Sequence, residues 1–204
     1  MTKFDRSRNL YQGIFIAAPT PMRADFSIDP EGFGPLVDRL EEAGLKPGDA
    51  AYTVLGAGGE HMALTIDERK RVAEAAVAGS RGRIPIFIGV THPSTALSIE
   101  LARHAEEIGA DGLQVEPPYY LPGTADDTFE YFRAIAGATE LGIAAYNTPW
   151  TSNFDMNRAF LARLAALENV IGLKWYASNV NEYIGGLREY HQRFRIVTNM
   201  PGAL

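Results

Sequence analysis

Short apolar segments alternate with longer amphipathic segments along nearly the whole chain, and this alternation limits the possible folds more than any other feature. Seven apolar segments have the length of strands, and they begin roughly 25 to 37 residues apart. That interval is the size of a strand–helix unit rather than of a helical-repeat pair. Segments such as IPIFIGV and NVIGLKW are apolar on both faces, as parallel strands covered by helices are. The pattern therefore predicts a parallel α/β sheet.

The element boundaries follow from periodicity and from capping residues. Predicted strands cover Ile14–Ala18, Ala51–Leu55, Ile84–Val90, Gly112–Glu116, Gly142–Asn147, Val170–Tyr176 and Arg195–Thr198. Predicted helices cover Glu31–Ala43, Ile66–Ala78, Ser94–Ile108, Asp126–Ala138, Met156–Leu167 and Asn181–His191. Thr65 followed by Glu68 is typical of a capping box. Gly44, Gly79 and Gly109 stand where helices commonly end in a left-handed residue.

Two architectures fit this alternation, a closed barrel and an open doubly wound sheet. The open sheet usually carries a G-x-G-x-x-G turn after its first strand, whereas the sequence here reads APTPM. No linker or shift in composition divides the chain. We therefore expect residues 1–204 to form a single α/β domain of the TIM (β/α)8 barrel type.

The number of units falls short of a closed barrel. A barrel of this type needs eight strand–helix units and typically about 250 residues, and this chain of 204 residues ends shortly after the seventh predicted strand. Open parallel edges favour aggregation. We expect a barrel truncated after strand seven, that is, a fragment of a longer protein; the alternative is that another element closes the gap.

Composition narrows the range of partners and sites. The absence of cysteine excludes a disulfide scaffold, a thiolate zinc site and a cysteine nucleophile. With 25 acidic and 19 basic residues and no basic cluster, the chain is not expected to bind nucleic acid. No apolar run reaches the ~18 residues of a membrane span, so a cytoplasmic protein without a membrane partner is expected. The four histidines lack metal-site spacing, and no metal is expected.

Lys174 interrupts the otherwise apolar sixth strand. Alternation places Val170, Gly172 and Lys174 on one face, and Ile171 with Trp175 on the other. If the large side chains face the helices, the lysine points into the barrel near its carboxyl end, where barrel active sites form. Burial would lower the pKa of the ammonium, and a neutral amine can form a Schiff base with a ketone. The alternatives are a lysine that extends to solvent or pairs with a carboxylate.

Other candidates follow neighbouring strands. The same alternation directs Tyr146 inward, where a phenol can relay protons or simply fill the barrel. The segment GAGGE, with Ala57 and Gly58, suits either a nest for a small carboxylate or an ordinary tight turn. Tyr120, after two prolines and a tyrosine, suits a site rim, a subunit contact or core packing. Glu116 is a substrate contact or the partner of a neighbour, and it is not included among the predicted site residues.

Four segments together resemble the dihydrodipicolinate synthase / N-acetylneuraminate lyase family of class I, Schiff-base-forming lyases. The family turn G-[TS]-T-G-E followed by L-T-x-x-E-R is matched by Gly56–Glu60 and Leu64–Arg69. The family's P-Y-Y turn is matched by Pro118–Tyr120, its Y-N-x-P strand end by Tyr146–Pro149, and its G-[IVL]-K strand by Gly172–Lys174. Order and spacing agree over nearly the whole chain, although each motif alone is weakly specific.

The resemblance implies a (β/α)8 barrel with a C-terminal helical extension, and a role for each matched residue. Lys174 would form an imine with pyruvate or another 2-oxo acid, without a cofactor. Tyr146 would be the proton-relay phenol, and the amides of Ala57 and Gly58 would receive the substrate carboxylate. Tyr120 would reach the neighbouring subunit's site across a tight dimer, so that a homo-oligomer, dimer or tetramer, is expected.

Departures from the family pattern bear on the reaction. Ala57 and Gly58 replace two hydroxyl residues. Thr151, which is also a predicted substrate-binding residue, stands where the synthase branch has an arginine that binds a dicarboxylate-like substrate. Trp175 and Tyr176 predict a bulky aromatic site wall. An aldolase or dehydratase for a sugar-acid or aromatic 2-oxo acid is therefore expected. The alternatives are dihydrodipicolinate synthase activity, a non-catalytic ligand-binding relative, or an unrelated phosphate-binding barrel.

Overall fold

The structure, a computed structural model, describes residues 1–45 and 48–198. Its strands are β1 (Ile14–Ala17), β2 (Ala50–Val54), β3 (Ile86–Gly89), β4 (Gly112–Val115), β5 (Ile143–Tyr146), β6 (Val170–Trp175) and β7 (Arg195–Thr198). Its helices are α1 (Lys3–Leu10), α2 (Phe33–Glu42), α3 (Ile66–Ser80), α4 (Thr95–Glu107), α5 (Ala125–Ala136), α6 (Pro149–Ser152), α7 (Arg158–Leu164) and α8 (Val180–Tyr190). All seven predicted strands and all six predicted helices are present, with shifted ends.

The strands form one parallel sheet in sequence order, β1 to β7. Each strand pairs with the next, and the helix between them covers the outer face, which is the connection of a (β/α) barrel. Within the described residues β1 and β7 each have one neighbour, so the barrel of seven strands is open between these two. This confirms the predicted TIM-barrel architecture for the seven strand–helix units that the structure describes. None of the described helices is both long and apolar enough to cross a membrane.

Two apolar clusters lie on opposite faces of the sheet. The larger one packs strand residues such as Leu113 and Leu173 against helix residues such as Phe132. The smaller one fills the barrel interior with Tyr11, Ala51, Phe87, Ala144 and Ile171. Because successive strand residues point to opposite faces, this division fixes which side chains of each strand reach the interior.

The pairing of β5 with β6 contains a one-residue irregularity. Ile143 pairs with Val170 and Ala144 with Gly172, so Ile171 is an extra residue in β6. As a result Ile171 belongs to the interior cluster and Val170 to the outer one. The prediction for these two residues was wrong, because strict alternation cannot anticipate a bulge.

Helix α1 was not predicted, and it lies at the amino end of the barrel. Its cap is a box in which the Thr2 hydroxyl accepts from the Asp5 amide at 3.2 Å and the Asp5 carboxylate accepts from the Thr2 amide at 2.9 Å. The Ser7 hydroxyl accepts a hydrogen bond from the Gly142 amide at 3.0 Å. A threonine followed three residues later by an acid was the available signal.

Tyr11 directly follows this helix, and its side chain extends into the barrel interior from the amino end of the strands. Its ring centroid lies 5.0 Å from that of Phe87. A Cβ on Gly172 would lie 2.6 Å from Tyr11 Cδ1. The Tyr11 ring therefore occupies the space beside Gly172, where a larger residue would have no room.

Two of the three predicted glycine caps are confirmed. Gly44 and Gly109 have φ of 91° and 82°. Gly79 instead lies inside α3, where a Cβ would meet the Gly34 nitrogen at 3.0 Å. Helix α3 continues to Ser80, and Arg81 takes the left-handed conformation in its place. Gly79 thus allows α2 and α3 to approach closely rather than ending a helix.

Candidate active site

Lys174 lies on the inner face of β6, as the sequence predicts. Its Nζ is 4.2 Å from the ring centroid of Phe15 and 4.0 Å from that of Tyr146. Among the described residues, no carboxylate lies within ion-pair distance of this nitrogen. Burial lowers the pKa of the Lys174 ammonium to about 8, against the opposing effect of the Glu116 charge. A fraction of the amine is therefore neutral and nucleophilic near neutral pH.

Tyr146 is the neighbour of Lys174 in the register of β5 and β6. Its side chain is buried, and the lysine nitrogen lies over the face of its ring. The edge of this ring meets Trp150, with centroids 6.5 Å apart. The inward placement of both predicted catalytic residues, side by side, is thus found in the structure.

Asn147 holds the ends of β5 and β6 together. Its amide N–H donates to the Lys174 carbonyl at 3.0 Å. Its side-chain Nδ2 donates to the Tyr176 carbonyl at 2.7 Å and to Asp155 Oδ1 at 2.8 Å. The asparagine is fully buried, so these bonds are shielded from water and fix the positions of Tyr146 and Lys174 relative to each other.

Glu116 lies in the candidate site, although it was not among the site residues predicted from the sequence. It follows β4, is only 6% exposed, and interacts electrostatically with Lys174. The Thr148 hydroxyl donates to Glu116 Oε2 and Gln114 Nε2 donates to Oε1, both at 3.3 Å. Burial raises the pKa of the Glu116 carboxyl to about 7, opposed by Thr148, Lys174 and Gln114.

The signal for Glu116 was present in the sequence. Gly112 faces the interior, since a Cβ there would lie 2.2 Å from the Phe87 ring. Gln114 and Glu116 lie two and four residues after Gly112, so their side chains point to the same face of the sheet. The alternation that placed Lys174 inside the barrel therefore also placed this carboxylate there.

The predicted carboxylate nest lies just beyond β2. Residues 57–59 form a 3-10 turn, in which the amides of Gly59 and Glu60 bond back to preceding carbonyls. The first amides of such a turn have no acceptor within it. Those amides belong to Ala57 and Gly58, and both residues are exposed. A Cβ on Gly58 would lie 3.7 Å from the Ala17 Cβ, which sets the turn beside the carboxyl end of β1.

The aromatic wall of the site differs from the prediction in one residue. Trp175 points outward, stacks on Tyr183 with centroids 5.5 Å apart, and donates from Nε1 to the Met156 carbonyl at 3.1 Å. The prediction that Trp175 lines the site was wrong, because Trp175 directly follows Lys174 in β6 and successive strand residues point to opposite faces. Trp150 takes its place, since it is 55% exposed and its ring meets Tyr176 at 5.5 Å.

Thr151 lies in the short helix α6, next to Trp150. Its hydroxyl donates to the Thr148 carbonyl at 3.1 Å. The hydroxyl is thus engaged within its own helix, and the residue carries no charge with which to bind a second carboxylate. That this position contacts a substrate stays a prediction.

Tyr120 projects into solvent from the loop that follows β4. It is 83% exposed, and its φ of 79° is rare for a residue with a large side chain. It borders a groove of about 510 Å³ whose other lining residues are Met62, Pro93, Pro118, Tyr119 and Leu121. Within the described residues, the ring contacts of Lys174 are with Phe15 and Tyr146 and not with Tyr120.

The histidines are dispersed. His104 Nε2 lies 2.9 Å from Glu74 Oε1, and His92 Nδ1 accepts from the Ser94 amide at 2.9 Å. Burial lowers the pKa of His61 to about 4. In the part of the chain that the structure describes, no three His, Asp or Glu side chains are grouped so that they could hold a metal ion.

Comparison with known proteins gives one consistent family. A family-level sequence profile described as the dihydrodipicolinate synthetase family matches residues 10–199. The 4-hydroxy-tetrahydrodipicolinate synthase of Phenylobacterium zucineum is 36% identical over 165 residues, 81% of this chain and 54% of that protein. The protein of the same name from Chelativorans sp. is 38% identical over 166 residues, 81% of this chain and 55% of that protein. The chain spans about half the length of the curated relatives it matches.

Solved structures give the same result. The dihydrodipicolinate synthase from Aquifex aeolicus superposes with a TM-score of 0.84 at 28% identity, covering 92% of this chain and 63% of that one. A prophage protein of the dihydrodipicolinic acid synthase family from E. coli K12, solved in complex with pyruvate, has a TM-score of 0.84 at 30% identity. The match covers 93% of this chain and 63% of the prophage protein.

Proposed function

Because this chain belongs to the dihydrodipicolinate synthetase family, we propose that it is a Schiff-base-forming lyase of the class I aldolase type that acts on a 2-oxo acid such as pyruvate. The observation that carries this proposal is the environment of Lys174. Its amine lies inside the barrel between two aromatic rings, with its pKa lowered to about 8 and no ion pair among the described residues. A buried lysine in this state is suited to nucleophilic attack on a ketone.

The proposed chemistry begins with the neutral amine. Lys174 Nζ adds to C2 of the 2-oxo acid, and the carbinolamine takes up a proton on its oxygen and then loses water to give a protonated imine. In carbon–carbon cleavage, the protonated imine accepts the electron pair of the C3–C4 bond. In loss of water, the imine allows a proton to leave C3, and the resulting enamine expels the protonated oxygen at C4 as water. Neither a metal nor an organic cofactor takes part in this scheme.

Tyr146 and the turn at 57–59 are the proposed partners of Lys174. Tyr146 is buried beside the lysine, where its phenol can relay protons to the carbinolamine oxygen. The amides of Ala57 and Gly58, at the end of β2, are proposed to bind the substrate carboxylate. We expect Tyr146→Phe to reduce kcat by at least about 100-fold with little change in KM. A change confined to KM would contradict the relay role.

The substrate is proposed to be a sugar-acid or aromatic 2-oxo acid, which the enzyme cleaves as an aldolase or dehydrates as a dehydratase. Trp150 and Tyr176 form an aromatic wall, and Thr151 offers no positive charge. The second candidate is 4-hydroxy-tetrahydrodipicolinate synthesis, because the matched relatives carry that name. Release of pyruvate from keto-deoxy sugar acids, compared with formation of the synthase product, separates the two.

A homo-oligomer is also part of the proposal. Tyr120 projects from the loop after β4 with an exposed ring and a strained backbone, and the groove beside it is largely apolar in composition. An exposed apolar surface of this kind is typical of subunit contacts. We propose that Tyr120 enters the site of a second copy. Sedimentation velocity of Tyr120→Ala, expected to shift the protein toward monomer, tests this.

The test of the central proposal is chemical trapping. The chain is incubated with pyruvate and borohydride, and its intact mass and peptide map are measured. A reduced pyruvate adduct on Lys174 is expected, and Lys174→Arg should abolish it because arginine keeps the charge without supplying a nucleophilic amine. Lys70→Arg is the matched control, since Lys70 is a surface residue paired with Glu100. A folded chain that gives no adduct would support a non-catalytic ligand-binding protein instead.

A further inference from the structure

The barrel interior contains a carboxyl group whose charge acts on Lys174. Glu116 extends from the carboxyl end of β4 on the inward-facing side and is almost completely buried. Of the carboxylates in the described ranges, it is the one whose charge acts on Lys174. The position is the end of the barrel where a substrate bound to Lys174 would lie.

The bonding of Glu116 differs from that of a structural carboxylate. Its two side-chain hydrogen bonds, from Thr148 and Gln114, are each 3.3 Å long, beyond the usual range for strong bonds to a charged oxygen. No Lys, Arg or His nitrogen of the described residues lies within ion-pair distance of it. Buried carboxylates with a purely structural role are normally paired with a cation. Glu116 is therefore held in place while its oxygens stay available.

The surrounding groups allow the carboxyl to change protonation state near neutral pH. The titratable groups that face it are Lys174 from β6 and Tyr131 from α5, and Thr148 and Gln114 are neutral. Burial is the largest effect and raises the pKa to about 7. A proton-transfer group works best when its pKa lies close to the working pH.

We propose that Glu116 is a catalytic residue that moves the proton at C3 of the substrate imine; this inference rests on the proposed Schiff-base function. The Glu116 carboxylate takes a proton from C3 of the protonated imine. The electron pair of the C3–H bond becomes the C2–C3 π bond, and the C–N π pair becomes the lone pair on nitrogen. The products are a neutral enamine and the Glu116 carboxylic acid, and the reverse step returns the proton to C3.

The geometry divides the two proton transfers between two residues. Tyr146 presents its ring face to the lysine nitrogen. Its proposed role is to transfer a proton to the oxygen that leaves from C2. Glu116 approaches from β4, and its carboxylate is a far stronger base than a neutral phenol. The protonated imine also carries the positive charge that favours an ionised carboxylate nearby.

The experiment follows exchange of the pyruvate methyl hydrogens for deuterium in D₂O by NMR, alongside borohydride trapping. We expect Glu116→Gln to keep the trapped adduct on Lys174 while exchange falls by at least about 100-fold. Glutamine preserves the shape and can still accept from Thr148, but it cannot take a proton. Trapping tests imine formation and exchange tests Glu116, so the two proposals fail separately.

Asp111→Asn is the matched control. Asp111 is the other carboxyl in the β4 region whose pKa is raised by burial, but its Oδ2 accepts from the Ile86 amide at the amino end of the barrel. This variant should exchange deuterium at the wild-type rate.

Undiminished exchange in Glu116→Gln with intact trapping would overturn the proposal. Should that variant not fold, Glu116→Asp replaces it. We expect Asp to slow exchange and to shift its pH midpoint, because the shorter side chain retracts the carboxylate. An unchanged rate and midpoint in Glu116→Asp would equally overturn the role of Glu116. A wild-type chain that traps no imine would refute the Schiff-base function and this inference with it.

Discussion

At the scale of single residues, the site is defined by two ionisable groups whose pKa values converge. Burial lowers the pKa of Lys174 to about 8 and raises that of Glu116 to about 7. Burial thus shifts the pKa of each group in the direction that favours its neutral form. The attraction between the two opposite charges offsets this effect of burial only in part. Because the two groups interact, their titration belongs to the pair. A neutral amine and a proton-accepting carboxylate can therefore coexist between pH 7 and 8.

The raised pKa of Glu116 predicts a pH-dependent effect of Glu116→Gln on stability. A group whose pKa is higher in the folded state contributes stability below its unfolded value, here 4.5, and loses it as the pH rises through about 7. At pH 8 the ionised carboxylate therefore destabilises the folded chain, and glutamine should raise the free energy of unfolding by up to about 3 kcal/mol. At pH 4 the change should be close to zero. Urea unfolding at both pH values measures this, and equal changes at the two would contradict it.

Tyr11 gives a second prediction, because its buried hydroxyl has no hydrogen-bond partner among the described residues. Replacing it with phenylalanine removes a polar group that is isolated from water and keeps the ring in place. We expect Tyr11→Phe to leave the free energy of unfolding unchanged or to raise it by about 1 kcal/mol. Tyr190→Phe is the control: the Tyr190 hydroxyl donates to the Arg158 carbonyl at 3.2 Å, and its loss should cost about 1 kcal/mol. Similar losses in both variants would argue against this account of Tyr11.

At the scale of elements, periodicity predicted the strands well and predicted side-chain direction only where pairing is regular. The inward direction of Lys174 and Tyr146 followed from alternation, and it holds because β5 and β6 are in regular register near their carboxyl ends. The inward direction of Ile171 could not be predicted from alternation, because the extra residue in β6 arises from how β6 pairs with β5 and not from the sequence pattern of β6 alone. Helix α1 was missed since it precedes the first strand and no strand–helix alternation points to it.

The close contact between β6 and the end of α1 predicts a steric effect of Gly172→Ala. A Cβ there would lie 2.6 Å from the Tyr11 ring and 3.1 Å from the Arg195 carbonyl. We expect a loss of about 1–3 kcal/mol in the free energy of unfolding, partly recovered when Tyr11→Leu is added. Gly34→Ala in α2 is the control, because nothing lies within 4 Å of its added Cβ. Additive effects of the Gly172 and Tyr11 substitutions would show that the two sites are not in steric conflict.

At the scale of the whole molecule, the fold assembles a site from positions far apart in the chain. Phe15, Glu116, Tyr146 and Lys174 belong to four different strand–helix units. Parallel strands in sequence order bring their carboxyl ends to one rim, so each unit contributes one or two inward side chains there. The opposite end of the barrel is covered by α1, so the first residues of the chain support the site from beneath.

Removal of residues 1–11 tests this dependence. Lys3 pairs with Glu106 at 2.7 Å, Arg6 with Asp111 at 2.8 Å, and Tyr11 is completely buried within the barrel. The Lys3 and Arg6 side chains are more than half exposed, so their ion pairs contribute little, whereas loss of a buried aromatic side chain costs about 3–5 kcal/mol. We therefore expect the shortened chain to lose at least about 3 kcal/mol in the free energy of unfolding by urea.

Because Tyr11 lies directly beneath Gly172, the same deletion should also reduce borohydride trapping on Lys174. Arg6→Gln, which removes one exposed ion pair and leaves Tyr11 in place, should change stability by less than about 1 kcal/mol and keep the adduct. A shortened chain that unfolds at the wild-type urea concentration and still traps pyruvate would show that the barrel and its lysine form without this helix. A loss in the deletion and not in Arg6→Gln would assign the support of the site to the buried ring rather than to the surface charges.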